Sequence, residues 1–387
     1  MNFFKYILTK FSKIQNKYGN YLLIIFFIFT LFMIFGLTKI EFEGDFQKEM
    51  PQDLPIFKLN DKITNIFSGQ DTTFILIMLD DNVQIKNTPK DIREPKIMNY
   101  VIDLEESLLT ENNINEIISI SQMIKPFKEN NPNYNLEEIS NYLKEIPQSF
   151  QFISKDFTKT ILIINTNVGS SQEKIAELTN IIEKHITDLS TPSGTKIKIT
   201  GSPSILAIIL DLLRADSIKT LLIASVIIIF LLVLIQRSFT QSLVIFTPIL
   251  LGIIWTLGTL GLLNITISVA TAGIGAMILG LGVEYGIFMI TRFQEERKKN
   301  KTIDNSLNVA VSTVGSAIMG SGLTTMIGFL ALTFSLLPLL QKLGFSLALG
   351  IFYCILSTIF ILPVLIKSEE KYVPLIIKKL LHDRRIK

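Results

Sequence analysis

The sequence predicts an α-helical membrane protein with six transmembrane helices, arranged as one plus five, and an α+β domain outside the membrane. The average of 48% hydrophobic residues hides two populations, since residues 40–216 have ordinary soluble composition and the rest is mostly long apolar runs. Six runs approach the roughly 17–25 residues that a helix needs to cross a hydrocarbon core of about 30 Å. One run precedes the polar region and five follow it.

The apolar runs divide the chain into five predicted parts. These parts are a leading helix (1–20), a first transmembrane helix (21–38), an outer domain (39–216), a block of five spans (217–366) and a basic tail (367–387). The six spans themselves are predicted at residues 21–37, 221–235, 243–263, 267–290, 309–334 and 344–366.

Lys and Arg are unevenly distributed between the connectors, and this bias sets orientation in a membrane. Bases cluster in the leading segment, between Arg292 and Lys301, and in the tail, whereas the connectors on the opposite side hold one base, Lys342. We therefore expect both termini to be cytoplasmic and residues 39–216 to lie outside a cytoplasmic (inner) membrane. The net charge of +3 follows from this topology and gives no support to nucleic-acid binding.

Both ends of the chain are basic and amphipathic. In the leading segment Phe4, Ile7, Leu8 and Phe11 recur at helical spacing with lysines between them, which predicts an interfacial helix on the cytoplasmic surface. For residues 371–387 an interfacial helix and a merely basic tail are equally compatible with the pattern.

Composition argues against enzyme chemistry. Cys354 is the single cysteine and lies inside the last predicted span, so it can form neither an intramolecular disulfide nor a cysteine-based metal site. His185 and His382 are far apart and on opposite predicted sides of the membrane. We therefore predict no metal site, no cofactor and no enzymatic activity.

The polar region alternates between strand and helix patterns. Its order, β-α-β and then (α)-β-α-β, is a split βαβ or ferredoxin-like layout, with residues 135–146 as an inserted helix that Asn135 and Glu138 cap. A helix over residues 202–216 leads directly into the second span, where it could transmit movement. The predicted strands are 73–79, 114–120, 160–165 and 196–200, and the remaining helices are 92–109 and 171–189.

Glu284 is the residue that most directly indicates function. Apart from Arg237 in a short connector, it is the only charged residue between Lys219 and Arg292. A carboxylate at membrane depth costs at least ~2.5–3.5 kcal/mol, and such groups usually carry a proton or an ion. The alternative is a neutral, hydrogen-bonded carboxyl between helices or one that reaches the membrane interface.

Small residues surround Glu284 in the sequence. Gly282 and Gly286 form a small-xxx-small pair, and Gly280 lies one turn before the acid. Such residues let helices approach closely, which predicts either contact between the fourth spans of two copies or packing within one chain. Tyr285 either hydrogen-bonds a carboxyl of a second copy or simply packs.

Three hydroxyl side chains of the fifth span are candidates for the same relay. Ser321, Thr324 and Thr325 could pass a proton to or from Glu284. The alternative is that these hydroxyls bond back to carbonyl groups of their own helix, as Ser and Thr often do in membrane helices.

Two motifs carry a family resemblance. The first is Leu279-Gly-Leu-Gly-Val-Glu284-Tyr285-Gly-Ile-Phe-Met-Ile-Thr-Arg292-Phe293-Gln-Glu295-Glu296, and the second begins at Gly322-Leu-Thr324-Thr325-Met-Ile-Gly328. Together with the one-plus-five layout, they resemble the fourth to sixth spans of the resistance-nodulation-division superfamily, and most closely its MmpL-type and hopanoid-exporter-type lipid transporters. The family's usual acid is Asp, so Glu284 departs from it by one methylene.

The resemblance implies a secondary transporter driven by the proton-motive force that exports hydrophobic or lipid-like molecules. Members commonly contain two such halves in one chain, so this chain resembles a half-size exporter with a porter-like outer domain. Its expected partners are a second copy of itself, the membrane and a lipid-like small molecule. Two alternatives are an accessory of protein export resembling the SecD/SecF pair, and a non-transporting sensor with a sterol-sensing arrangement of spans.

Overall fold

The computed structural model describes residues 2–44, 49–66, 71–80, 88–166, 168 and 172–371. The chain divides into a membrane unit, Met1–Pro51 with Leu212–Lys387, and an outer unit, Gln52–Asp211. The predictions for residues 372–387 fall outside the described residues. In chain order the helices are α1 (Asn2–Leu37), α2 (Pro55–Ile66), α3 (Pro95–Leu108), α4 (Ser121–Asn130), α5 (Leu136–Lys144), α6 (Gln172–Asp188), α7 (Ser202–Gln236), α8 (Phe239–Leu262), α9 (Ile274–Lys298), α10 (Ile303–Ala331) and α11 (Pro338–Phe360), and the strands are β1 (Phe42–Glu43), β2 (Asp71–Leu79), β3 (Ile114–Ser119), β4 (Lys159–Thr166), β5 (Thr195–Gly201) and β6 (Ile267–Ser268).

The predicted fold class is confirmed. Within the described ranges, 6 helices are long and apolar enough to cross a membrane, namely α1 and α7–α11. The predicted second span turns out to be the last part of a 35-residue helix, because α7 continues without interruption from Ser202 to Gln236.

The predicted start of the fourth span, at residue 267, is wrong. Ile267 and Ser268 form strand β6, which pairs in parallel with β1 after the first span. The backbone N–H of Ser268 then donates to Thr271 Oγ1 at 2.8 Å, and the helix begins at Ile274. Residues 267–273 therefore form a strand and a turn instead of the first turns of a span.

The leading segment belongs to the same helix as the first span. In α1 the backbone departs from helical geometry at Tyr18 (φ −116°, ψ 21°). Leu8 is buried and faces Gly315 of α10, and Gln15 Nε2 donates to the carbonyl of Phe360 at 2.8 Å. One side of the segment therefore packs on protein, while its lysines are exposed. Its location on the membrane surface stays a prediction.

The outer unit has the predicted ferredoxin-like layout. Its antiparallel sheet has the strand order β3-β4-β2-β5, so the second and third strands of the motif, β3 and β4, neighbour each other and the first strand lies between the third and the fourth. Helices α3 and α6 cover it, and buried residues of β2, β4, α3 and α6 form one core. The predicted cap of α5 is present, because Asn135 Oδ1 accepts from the N–H of Glu138 at 3.0 Å while the Glu138 carboxylate accepts from the N–H of Asn135.

Three details of the outer unit differ from the sequence pattern. Helix α3 begins at Pro95 instead of residue 92, because a proline fits the first helical turn, where no N–H is needed. Helix α4 was not predicted, since its short sequence contains Pro126. Helix α2 was not predicted either, although Ile56, Leu59 and Ile63 mark one exposed apolar side.

Candidate functional site

Glu284 lies near the middle of α9. It follows Ile274 by ten residues and precedes Arg292 by eight, which corresponds to about 15 Å and about 12 Å of helix. Its side chain is exposed on the surface of the membrane unit, and it forms no hydrogen bond or ion pair with any residue that the structure describes. The same side of α9 also exposes Gly280 and Phe288, one turn on either side of the acid. The candidate carboxyl therefore has no partner in its own described chain.

The glycine pair next to Glu284 lies on the other side of α9. A Cβ atom at Gly282 would lie 2.9 Å from Cys354 Sγ of α11, and one at Gly286 would lie 2.7 Å from Ile245 Cγ2 of α8. Both glycines therefore pack within the chain, which agrees with the second of the two alternatives for this pair. Gly280 differs, because a Cβ atom there would meet no atom within 4 Å.

Tyr285 points into the membrane unit. Its side chain is 2% exposed, and its hydroxyl oxygen would lie 3.4 Å from a Cβ atom at Gly322 of α10. The hydroxyl makes no hydrogen bond to the described part of the chain. The packing alternative thus agrees with the position of the ring, while the hydroxyl is still available for a relay.

The three candidate hydroxyls of α10 lie within one helical turn of Gly322, the residue beside the Tyr285 hydroxyl. Thr324 Oγ1 and Thr325 Oγ1 donate to the carbonyl of Ser321 at 2.7 Å and 3.0 Å, so both bond back to their own helix. Ser321 is exposed, and its hydroxyl has no partner among the described residues. Each hydroxyl oxygen can still accept a further hydrogen bond.

Helices α9 and α10 together present a surface that we call the open face. Its residues are exposed and mostly small, and a Cβ atom at Gly280, Gly320 or Gly328 would meet no atom within 4 Å. In the α10 part, the sequence predicted Ser321 and Thr324 as relay candidates but not the surface that they form with Ala317, Gly320 and Gly328, although the three- and four-residue spacing of these small side chains is visible in the sequence. The open face consists of Gly280, Glu284, Phe288, Ala317, Gly320, Ser321, Thr324 and Gly328.

The end of α9 carries a compact ion-pair cluster around a buried carboxylate. Glu296 is 1% exposed, and its Oε1 lies 3.0 Å from Arg292 Nη2 and 2.8 Å from Lys299 Nζ. Lys301 pairs with the other carboxylate oxygen, and Glu295 pairs with Arg292 at 2.9 Å. The cluster fixes the α9–α10 connector at one end of the helix pair, eight residues or more from Glu284.

The described residues include no group of three or more His, Cys, Asp or Glu side chains that could hold a metal ion.

A one-plus-five set of spans, a ferredoxin-like outer unit and a carboxyl in the middle of the fourth span define a multi-pass membrane protein of the resistance-nodulation-division type. Residues 51–369 match the MMPL family, and the chain belongs to that family. The predicted resemblance is thereby confirmed.

Known proteins show how far the similarity extends. Membrane protein MJ1562 of Methanocaldococcus jannaschii is 31% identical over 97% of both chains. Siderophore exporter MmpL5 of Mycobacterium tuberculosis is 26% identical over 57% of this chain and 23% of its own length. The hedgehog release protein Disp of the water bear Hypsibius dujardini shares the fold at a TM-score of 0.62 and 10% identity, over 94% of this chain and 49% of Disp. The chain thus spans about a quarter of MmpL5 and half of Disp.

Proposed function

We propose that this chain is a secondary transporter, driven by the proton-motive force, that exports hydrophobic or lipid-like molecules and works as a homodimer. Glu284 is the group that carries the proton. The observation that supports this most directly is the position of its carboxyl, which lies midway along α9, on the open face, with no neutralising group in the described chain. A charged group at this depth is costly, and it is tolerated where protonation changes during function.

In the proposed homodimer, a second copy covers the open face. Small residues on α9 and α10 let another pair of helices approach closely, and such an approach would remove Glu284 from lipid. The similarity to Disp supports the arrangement, because this chain corresponds to half of a longer chain with the same fold. In the proposed relay Tyr285, Ser321, Thr324 and Thr325 supply hydroxyl groups beside the two Glu284 carboxyls, and Gly280 makes room for them.

The substrate class and the orientation belong to the same proposal. Membership in the MMPL family and the exporter among the relatives support transport. The bias of Lys and Arg supports cytoplasmic termini and an outer unit outside an inner membrane. Protonation of Glu284 would shift the spans, and the continuous helix α7 joins a span directly to the outer unit in sequence.

The deciding experiment measures proton flux into liposomes that contain the purified protein and a trapped pH-sensitive dye. Glu284→Gln keeps the size and polarity of the side chain but cannot release a proton, so we expect flux to fall at least about tenfold. Glu284→Asp keeps a carboxyl and should retain part of the flux. Glu177→Gln is the matched control, because Glu177 is exposed on α6 of the outer unit; it should leave the flux unchanged.

The outcomes separate the alternatives. Unchanged flux in Glu284→Gln would contradict proton coupling and favour a membrane sensor. Loss of flux, together with lipid that stays bound through purification, supports the lipid transporter over an accessory of protein export. Loss of flux without bound lipid, and with defective protein secretion in cells, would favour the accessory.

A further inference from the structure

A cavity of about 370 Å³ lies between α9 and α10, on the Arg292 side of Glu284. Tyr285 and Ser321 line its inner end, and Thr291, Arg292 and Glu295 line the end near the ion-pair cluster. The ten residues from Tyr285 to Glu295 correspond to about 15 Å of helix. The remaining walls are Phe288, Val314, Ala317 and Ile318.

Polar groups at the two ends of the cavity lack hydrogen-bond partners in the described chain. Tyr285 is 2% exposed, yet its hydroxyl donates to no described group. Arg292 Nε is buried without a partner, although the other guanidinium nitrogens pair with Glu295 and Glu296. Buried polar groups in proteins are nearly always satisfied, by water where no protein group reaches them.

We propose that this cavity is a water-filled passage through which Glu284 exchanges protons with the aqueous phase at the Arg292 end of the bundle. The inference rests on the proposed function and assigns it the inward half of the proton path. Glu284 is not among the lining residues, but it is exposed on the same side of α9 as Phe288 and precedes it by one turn, so it lies within about one helical turn of the inner end of the passage.

The dimensions suit water, and polar groups line both ends of the cavity, while its middle walls are apolar. At about 30 Å³ for each molecule, the volume holds on the order of ten waters, enough for a hydrogen-bonded row along the helix pair. The hydroxyls of Tyr285 and Ser321 can anchor the row at one end, and Arg292 with the carboxylate of Glu295 can anchor it at the other. Since Ala317 and Ser321 also belong to the open face, the second copy would close the side of the cavity that faces lipid.

Accessibility of an introduced thiol tests the passage without relying on transport. The chain has one cysteine, Cys354, which is buried, so the unmodified protein gives the background. Ser321→Cys replaces one small side chain by another at the inner end, and Thr324→Cys is the matched control, one turn further along the open face and outside the cavity. A charged, membrane-impermeant methanethiosulfonate is applied to sealed vesicles of either orientation.

We expect Ser321→Cys to react from the Arg292 side at least about ten times faster than Thr324→Cys, and not from the opposite side. Equal rates, no reaction, or reaction from the opposite side would overturn the passage. Val314→Phe fills the cavity and should reduce both the reaction of Ser321→Cys and the proton flux at least about tenfold. Val309→Phe, on the same helix outside the cavity, should do neither.

The two proposals fail in different ways. If Glu284→Gln abolishes flux while Ser321→Cys does not react, the passage is wrong and the transporter stands. If Glu284→Gln keeps full flux, proton coupling through Glu284 is wrong and so is the passage, whatever the reactivity of Ser321→Cys.

Discussion

Each buried carboxylate that the structure describes has a lysine partner. The pairs are Lys125 with Glu105 at 3.2 Å, Lys342 with Glu49 at 2.7 Å, and Lys299 with Glu296 at 2.8 Å. Removing a charge from water is costly unless a counter-charge and hydrogen bonds replace the solvent. Glu284 differs from these residues, because no described lysine or arginine pairs with it. The lack of a fixed counter-charge suits the proton exchange that we propose for this residue.

The Asp91–Arg93 pair gives the outer unit a dependence on pH. Asp91 accepts from Arg93 Nε at 2.9 Å, and the guanidinium lies 3.6 Å from the centre of the Phe157 ring. Burial alone would raise the pKa of Asp91, but hydrogen bonds and the charge of Arg93 outweigh burial and lower it below 3.8. A lowered folded-state pKa contributes stability above about pH 4, and that contribution is lost as the pH falls further. We expect the sheet to melt at a lower temperature at about pH 3 than at neutral pH, measured by circular dichroism.

Asp91→Asn should reduce that acid sensitivity. At neutral pH we expect a loss of roughly 1–2 kcal/mol in the free energy of unfolding, because hydrogen bonds to charged groups contribute about 1.5–3 kcal/mol and partial exposure weakens this one. Asp103→Asn, exposed on α3, is the control and should leave both stability and its pH dependence unchanged. If Asp91→Asn and the unmodified protein lost stability equally on acidification, the assignment to this pair would be refuted.

At the scale of elements, the crossing of α1 and α8 depends on backbone contact. A Cβ atom at Gly36 would overlap the carbonyl oxygen of Gly258, and one at Gly258 would overlap that of Met33. Near this crossing Trp255 Nε1 donates to Thr30 Oγ1 at 2.9 Å. Glycine lets the two backbones come close enough for this buried hydrogen bond to form.

Gly258→Ala should therefore destabilise the membrane unit. The carbonyl of Met33 is part of the helix and cannot rotate away, so we expect a loss of about 1–3 kcal/mol, as for other overpacked cores. Gly328→Ala is the matched control, because a Cβ atom there meets nothing within 4 Å, and helix propensity makes it neutral or stabilising by up to about 1 kcal/mol. Thermal unfolding in detergent, followed by fluorescence of the single tryptophan, Trp255, compares the two variants. If Gly258→Ala and Gly328→Ala melted at similar temperatures, the close backbone contact between α1 and α8 would be contradicted.

Much of the fold could be predicted from the sequence, because apolar length and periodicity report the environment of a whole element. The capped helix α5 and the four strands of the outer unit were found in this way. Residues 267–273 were misassigned because apolar composition is the same in a span and in a buried strand with its turn. The spacing of Gly282 and Gly286 showed a small-residue side of α9 but not which helix lies against it. Orientation of that kind depends on tertiary contacts with Cys354 and Ile245, which are distant in sequence.

At the scale of the whole molecule, two exposed surfaces of the membrane unit carry different kinds of side chain. Lipid fills a surface of large apolar side chains well, and α7 presents such a surface with Val226 at 68% exposure and Phe230 at 63%. The open face has glycines with no neighbour instead, which leaves room for another helix at short distance. The difference between these two surfaces predicts that a second copy covers the open face and that lipid covers α7.

Gly320→Trp should separate the two copies of the proposed homodimer without disturbing the single chain. A Cβ atom at Gly320 meets no atom within 4 Å of its own chain, so the indole has space in one copy but would collide with a second copy on the open face. For a chain of 43.7 kDa, native mass spectrometry from nanodiscs should give a particle of two chains for the unmodified protein and one chain for Gly320→Trp, which should also lose proton flux. Val226→Trp places the same side chain on the lipid-facing surface of α7 and should remain a dimer with full flux. A single chain in the unmodified protein, or an intact dimer in Gly320→Trp, would show that the open face does not bind a second copy.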